Sequence, residues 1–443
     1  MAKVNLREVV LMILMDVLED KQHSHKVINA TIEKYAYLDK QERSFIKILS
    51  EGTIENLIQL DYVINEFSNT KVKKMKPEIR NILRLSVYQI LYLDSIPDHS
   101  VCDEAVKLTI ATKKYKQLKG FVNGVLRTIC REGLNLKYPS VAIRYSLPQW
   151  IYNQWVQQYG RNLADEMCKS INRVPVTTIR PGKNVTSEVL IDKLISQGIG
   201  VKRNKLIPDA LEIDGIDNIK LISGFNEGDF YIQDISSMFV GMVADPKPNS
   251  ICLDMCAAPG GKSLHLAKLL NNTGSIISRD LTNKKVELLN DNIKRSGFTN
   301  IKVEQFDASV LDEKMVESMD LVICDVPCSG LGVMSRKSDI KYNISPEIQK
   351  ELVELQRKIV INAAKYVKPG GVLVYSTCTT NVEENINNIR WLLESVNLKT
   401  VSITEYLPKE LRSKDTDMGY IQLLPGINNT DGFFICKMLK GEN

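Results

Sequence analysis

Apolar positions recur at three- and four-residue steps along the first third of the chain. Leu6, Val9, Val10, Ile13, Leu14 and Val17 form one such stripe, and a helix carrying it must pack that face on a partner. The same period returns in Phe45, Ile46 and Leu49, and again in Ile79, Ile82, Leu83, Leu85, Tyr88 and Leu91. Pro77 stands where a helix can begin, because the first turn needs no amide donor. Strand-like alternation is missing, so the pattern predicts an all-helical bundle over residues 1–132. Residues 133–235 change character: Pro139, Pro148, Pro175, Pro181 and Pro208 cut them into short pieces. Thr177–Arg180 reads as a strand and Ser187–Gln197 as a helix followed by another strand-like run. A linker and a small α+β module are predicted.

Residues 236–443 are regular. Five short runs are built around apolar residues: Ser250–Asp254, Ile276–Asp280, Ile301–Phe306, Leu321–Asp325 and Gly371–Ser376. Helical patterns separate them, over Ser263–Leu270, a stretch ending at Ser296, and Pro346–Val367; Val382–Ser395 follows the last. Strands of this kind alternating with helices predict a parallel sheet covered on both faces, a doubly wound α/β domain. Two later runs, Ile421–Leu424 and Phe433–Lys437, have hairpin spacing.

Composition sharpens this picture at four points. The 443 residues suit two or three domains at roughly 150 each. The balance of 58 basic against 53 acidic residues, a net +5, is far from a polycation, so contact with nucleic acid must come from local patches. No apolar run approaches the roughly 18 residues of a membrane span, and no small-residue cleavage site follows the apolar stretch Val9–Met15, so no secretory signal is expected. Nine scattered cysteines read as reduced thiols in a cytoplasm.

The first α/β strand runs into Cys256-Ala257-Ala258-Pro259-Gly260-Gly261-Lys262-Ser263. Small residues let backbone approach a ligand, and the following helix offers its first amides to an anion. Gly261-Lys262-Ser263 imitates the end of a phosphate-binding loop, G-x-x-x-x-G-K-[ST]. The imitation fails because Cys256 replaces the first glycine and Pro259 removes an amide donor. The better reading is a nucleoside-containing ligand lying across the strand ends, with an acid at the end of the second strand for its ribose. Asp280 stands there; Asp307 follows the third strand and Asp325 ends the fourth. One such aspartate is often only a helix cap, but three in register with a glycine loop define an edge.

Two cysteines are predicted at that edge: Cys328 in Asp325-Val326-Pro327-Cys328-Ser329-Gly330, and Cys378 in Tyr375-Ser376-Thr377-Cys378-Thr379. Both lie beyond strand ends among polar and turn residues, whereas Cys168, Cys252, Cys324 and Cys436 read as small core hydrophobes. The C-x-x-x-C pairs Cys252/Cys256 and Cys324/Cys328 each straddle a strand and its loop, which disfavours a metal site; no metal is expected. Cysteine–histidine hydrolysis is poorly supported, since of His23, His25, His99 and His265 only His265 is near. A thiol with an ordinary pKa is only a few per cent thiolate at neutral pH, yet that thiolate is a strong nucleophile for an electrophilic substrate. Spacing does not say which of the two cysteines attacks.

These motifs resemble those of the S-adenosylmethionine-dependent RNA cytosine-5 methyltransferases of the RsmB/Sun family. The likeness rests on Cys256–Lys262, Asp325–Gly330 and Thr377-Cys378. It extends to Asp339-Ile340-Lys341, Glu383-Glu384-Asn385 and Asp431-Gly432-Phe433-Phe434, and covers the chain from about Leu147 onward. The first third resembles the NusB RNA-binding bundle, most clearly in Phe121–Arg127. One departure is Ser335-Arg336-Lys337-Ser338, where the family often carries Arg-Arg-His-Pro.

The resemblance implies a Rossmann-like methyltransferase domain, an N-terminal NusB-like bundle and a small linking α+β module. It implies S-adenosylmethionine as methyl donor, held by Cys256, Ala257, Ala258, Pro259, Gly260, Gly261, Lys262, Asp280, Asp307 and Asp325. It assigns the nucleophile to Cys378 and release to Cys328, with Asp325 at the base edge. The substrate implied is a cytosine of 16S ribosomal RNA, conventionally cytosine 967, unpaired or flipped out of its stack. A transfer-RNA or other RNA cytosine-5 methyltransferase is the alternative, as is a non-catalytic RNA-binding assembly factor. Candidate phosphate contacts are Lys113 and Lys114 in a basic run around Tyr115, and Arg180, Arg336, Lys337 and Lys341 nearer the crevice. A monomer with no membrane contact is expected.

Overall fold

The computed structural model describes residues 4–216 and 218–442. By contact the chain divides into two units, Met1–Arg173 with Met334–Asn343, and Val174–Val333 with Ile344–Asn443.

The first unit is helical throughout its described residues. Asn5 accepts hydrogen bonds from the amides of Arg7 and Glu8 to start Leu6–Leu14, and Asp39 with Glu42 forms a capping box ahead of Lys40–Glu55, satisfying amides that have no partner within the helix. Pro77 opens Pro77–Tyr92 as its spacing predicts, and that helix is buried almost all round, from Asn81 to Ile90. It is the centre of the bundle, and its polar positions are paired accordingly. Arg84 grips Asp61 with two hydrogen bonds of 2.7 Å, while Arg80 and Asn81 both reach Glu19. Val141–Arg144, Gln149–Tyr159 and Arg161–Ile171 complete the helices before residue 173.

Residues 334–343 belong to this unit although they fall late in the sequence. The amide and hydroxyl of Ser24 donate to the Asp339 carboxylate at 3.2 and 2.8 Å, and Lys341 Nζ donates to the Glu55 carbonyl at 2.8 Å.

The second unit holds two sheets. The smaller comprises β1 (Thr177–Pro181), β2 (Gly200–Arg203), β3 (Leu211–Asp214) and β4 (Phe230–Ile232), antiparallel in the order β2-β3-β1-β4. The larger comprises β5 (Ile251–Asp254), β6 (Ser275–Asp280), β7 (Ile301–Gln305), β8 (Met319–Asp325), β9 (Val367–Thr377), β10 (Leu398–Thr400), β11 (Tyr420–Leu423) and β12 (Phe433–Lys440). Its order is β10-β12-β9-β8-β5-β6-β7, with β11 on β12. Strands β5 to β9 pair in parallel, and β12 is antiparallel to its neighbours.

Successive side chains of these strands enter different cores, as the pleat requires. Cys252, Leu321, Ile323 and Val374 pack with Phe239 and Leu266; Leu253, Val322, Cys324, Leu373 and Tyr375 pack with Val360 and Ala363. Double burial explains why β8 and the second half of β9 read as continuous apolar runs. The order reverses at β5, which has β6 on one side and β8 on the other, so the crevice beyond its C-terminal end is where such sheets bind ligands. No helix of the described residues is long and apolar enough to cross a membrane.

Candidate active site

The β5 strand ends at Asp254, and the chain turns through residues 255–260 into the helix Gly261–Leu269. Gly260 takes a φ of 109° and no side chain caps the helix; a Cβ at that position would meet Leu289 Cδ1 at 2.8 Å. The turn is tied to β6: Ala257 N donates to the Arg279 carbonyl at 2.8 Å and Ala258 N to Asp280 Oδ2 at 3.0 Å. The other Asp280 oxygen accepts from Leu281 N and pairs with Lys285. Asp307 lies two residues past β7, exposed, and holds a turn by accepting from Ser309 N and Oγ.

Asp325 ends β8. Its Oδ1 accepts from Ser376 Oγ at 2.7 Å, and its Oδ2 from Lys262 Nζ at 2.6 Å. Burial works against the Lys262 charge, but Asp325, Asp254 and Cys378 outweigh it and raise the ammonium above its ordinary range. Asp254 is an acid that the sequence reading passed over, although it ends its strand as Asp280 and Asp325 do. Ser263 Oγ donates to its Oδ2 at 2.7 Å, whereas its buried Oδ1 has no hydrogen-bond partner among the described residues. Burial pushes this carboxyl up to about 6.

Strands β8 and β9 pair with Asp325 opposite Ser376, and this register carries the two following loops side by side. Cys328 Sγ and Cys378 Sγ stand 3.3 Å apart, each half-buried. Contact with Cys378 is the main reason Cys328 holds its proton well above the usual thiol range, followed by burial and the charges of Cys378, Glu384 and Asp325. Behind the thiols lies a buried polar cluster around Glu384, whose motif the sequence marked without assigning it a role. Glu384, 0% exposed, accepts from Ser329 N at 2.8 Å and Ser329 Oγ at 2.5 Å, from Gln356 Nε2 at 2.9 Å, and from Asn381 Nδ2 at 3.1 Å. Ser329 Oγ also meets Thr379 Oγ1 at 2.7 Å. Gln356 Nε2 donates to the Pro327 carbonyl as well.

Four of the other cysteines and His265 serve packing. Cys168, Cys252, Cys324 and Cys436 are fully buried, and burial raises the Cys168 and Cys252 thiols to about 12. His265 is buried against Gly241, away from any thiol pairing.

The expected phosphate contacts divide. Lys113, Lys114, Arg336 and Lys337 are exposed, and Lys114 Nζ lies 5.3 Å from the Tyr115 ring centre. Arg180 and Lys341 correct the expectation. Arg180 is 5% exposed because β1 turns it inward; its Nε donates to Gln233 at 3.0 Å, its guanidinium lies over Tyr231, and burial lowers it to about 10. Lys341 is 1% exposed and donates to the Glu55 carbonyl; burial lowers it to about 7. Arg336, Lys337 and Lys341 all fall in the helical unit's segment 334–343.

The crevice suits a nucleoside-bearing sulfonium. Acids at the ends of β5, β6 and β8 offer oxygens for ribose hydroxyls and offset a positive sulfur, the uncapped helix start offers amides to a carboxylate, and Asp254 brings an orphaned oxygen. The strand order, the glycine-capped turn and these acids define a Rossmann-like S-adenosylmethionine-dependent methyltransferase.

Comparison with known proteins narrows the class. Residues 241–439 match the 16S rRNA methyltransferase RsmB/F family, 4–131 the NusB family, and 147–220 the ferredoxin-like domain of RsmF/B-like methyltransferases. The chain is 37% identical to the probable ribosomal RNA small subunit methyltransferase B of Bacillus subtilis (strain 168), over 99% of this chain and 100% of that protein. It also resembles the solved structure of PH0851, with a TM-score of 0.83, 26% identity, and 99% of both chains covered. NSun6 from Pyrococcus horikoshii with SFG, at 23% identity and a TM-score of 0.60, shares the fold over 67% of this chain and 99% of its own. The chain belongs to the RsmB/F family of 16S rRNA methyltransferases.

Proposed function

We propose that this protein transfers a methyl group from S-adenosylmethionine to carbon 5 of a cytosine in 16S ribosomal RNA, cytosine 967 by family resemblance. In this reading residues 1–132 are an RNA-binding module, 133–235 a linking module and 236–443 the methyltransferase. The observation that carries it is the pair of half-buried thiols 3.3 Å apart beside Asp325, at the edge where the acids converge.

S-adenosylmethionine, bound along Cys256–Lys262, Asp280, Asp307 and Asp325, supplies an electrophilic methyl group. The pair keeps a proton on Cys328, which favours Cys378 as the attacking thiolate. Cys378 Sγ bonds to carbon 6, and the electron pair of the 5,6 double bond becomes available at carbon 5 for the methyl group. Cys328, once its own proton has passed to solvent, takes the proton from carbon 5. The double bond re-forms, the sulfur–carbon bond breaks, and Cys378 departs as thiolate. Asp325, oriented by Ser376 and Lys262, accepts from the exocyclic amino group that uracil lacks. Lys113, Lys114, Arg336 and Lys337 supply phosphate contacts.

Two variants test this, assayed on 16S rRNA transcripts with labelled methyl donor. Cys378→Ala abolishes methylation and the protein–RNA adduct; an undiminished rate refutes the assignment. Cys328→Ala accumulates the adduct, and unchanged adduct yield in both variants refutes the two-thiol scheme.

A further inference from the structure

The Glu383-Glu384-Asn385 motif has so far no part in the chemistry, yet Glu384 is a carboxylate buried directly behind the thiols. Four donors converge on its two oxygens: Ser329 N and Gln356 Nε2 on Oε2, Ser329 Oγ and Asn381 Nδ2 on Oε1. Ser329 follows Cys328 directly. Asn381 lies three residues past Cys378, and Thr379, which follows Cys378 directly, reaches Ser329 Oγ at 2.7 Å. Gln356 fastens the other side of Cys328 through the Pro327 carbonyl at 2.9 Å and is itself held by Asn388 Nδ2 at 2.8 Å. The Tyr375 hydroxyl donates to the Glu384 carbonyl at 2.6 Å, fixing the residue to β9.

Resting on the methyl-transfer reading above, we propose that Glu384 is a positioning residue whose carboxylate clamps the Cys328 loop to the Cys378 loop and so sets the distance between the two thiols. Only a carboxylate fits, since glutamine offers one oxygen and turns an N–H₂ group toward two of the four donors. The clamp is also electrostatic. The groups that face Cys328 are Cys378, Glu384, Asp325 and Tyr375, and the Glu384 charge is among those that keep the Cys328 proton in place. A packing role alone would not move that proton.

The test compares the full-length protein with Glu384→Gln and Ser329→Ala. Two quantities are read: kcat and KM on 16S rRNA transcripts, and the pH midpoint of Cys328 alkylation by iodoacetamide, resolved by peptide mass spectrometry. Glu384→Gln is expected to lower kcat about 100-fold, as a loss of about 1 Å of alignment does, with KM within about threefold. Its alkylation midpoint moves to lower pH as a like charge is removed. Ser329→Ala keeps the charge and loses one strap, so kcat falls about tenfold while the midpoint stays. A Glu384→Gln enzyme with kcat within threefold, or with an unmoved midpoint, overturns the proposal. If Glu384→Gln does not fold, a Ser329→Ala enzyme with unchanged kcat overturns it instead. Failure of the methyl-transfer reading is separately visible: the unmodified protein would then neither methylate nor form an adduct, while the alkylation midpoint still reports on the clamp.

Discussion

Replacing Gly332 by alanine isolates how tightly the Cys378 loop depends on its backbone neighbours. A Cβ on Gly332 would lie 1.9 Å from the Gly432 carbonyl oxygen, 2.4 Å from its carbon and 2.8 Å from its Cα. All three are backbone atoms, so no side chain can swing aside. The segment around Gly432 must retreat by about 1.5 Å to reach ordinary contact at 3.4 Å. That retreat breaks the hydrogen bond from Gly432 N to the Gly332 carbonyl, 2.8 Å long, and strains the one from Gly332 N to the Cys378 carbonyl at 3.0 Å. Two hydrogen bonds at about 1 kcal/mol each and overpacking strain of about 1–3 kcal/mol give a loss of about 3–5 kcal/mol, seen as a lower Tm. Displacing the Cys378 anchor by about 1 Å costs about 100-fold in rate. Single-turnover methyl transfer at saturating RNA and donor, with calorimetry on the same preparation, reads both quantities. A rate within threefold of the parent beside a lowered Tm would refute the reasoning, showing the glycine pair to be packing only.

Asp254 gives a pH signature. Its folded value near 6 lies above the 3.8 of an ordinary carboxyl, so its protonated form favours the fold below about pH 4, and that contribution is lost as pH rises through 6. Asp254→Asn should therefore flatten the Tm profile between pH 4 and 6, with a gain over the parent reaching about 3 kcal/mol at pH 7; parallel profiles would show the group to be unshifted. Asp339→Ala leaves the buried Ser24 amide and hydroxyl without their acceptor, costing about 1–3 kcal/mol, and should speed tryptic cleavage at the exposed Arg336 and Lys337; unaltered cleavage contradicts it. Lys113→Ala with Lys114→Ala should weaken RNA binding and reduce the slope of log affinity against log salt by about 1.4–1.8; an unchanged slope removes both lysines from the interface.

How far the chain could be read in advance follows from how each element is buried. Strands β5, β8 and β9 are buried along much of their length, so their apolar residues mark them, whereas β7 is an edge strand with Lys302 and Gln305 exposed; the acids and cysteines at the strand ends can still be placed on one edge without coordinates. Strand β10, only Leu398–Thr400, has no pattern to find. The last helix before it begins at Ile386 rather than at Val382, because Val382–Asn385 instead form the turn that delivers Glu384. Segment 334–343 was unreadable for a different reason: its ties to the helical unit are hydrogen bonds between polar residues about 300 positions apart, and hydrophobic period carries no trace of them. Arg180 and Lys341 were misplaced because a basic residue reads as surface. Lys341 keeps the Glu55 carbonyl and the Tyr342 ring; Arg180 keeps Gln233 and the Tyr231 ring, while its two terminal nitrogens find no hydrogen-bond partner among the described residues.

The thiols show what lies between those extremes. Their presence at the sheet edge followed from sequence, but their separation follows from the register of β8 on β9. With Asp325 opposite Ser376, Cys328 stands three residues beyond one partner and Cys378 two beyond the other. A slip of one residue would reverse the faces of an entire strand and is forbidden by both cores. Apolar packing in those cores thus fixes the strand register that brings the two loops side by side, the starting point for a two-thiol mechanism. The buried carboxylate of Glu384 has only to hold the last few residues of each loop.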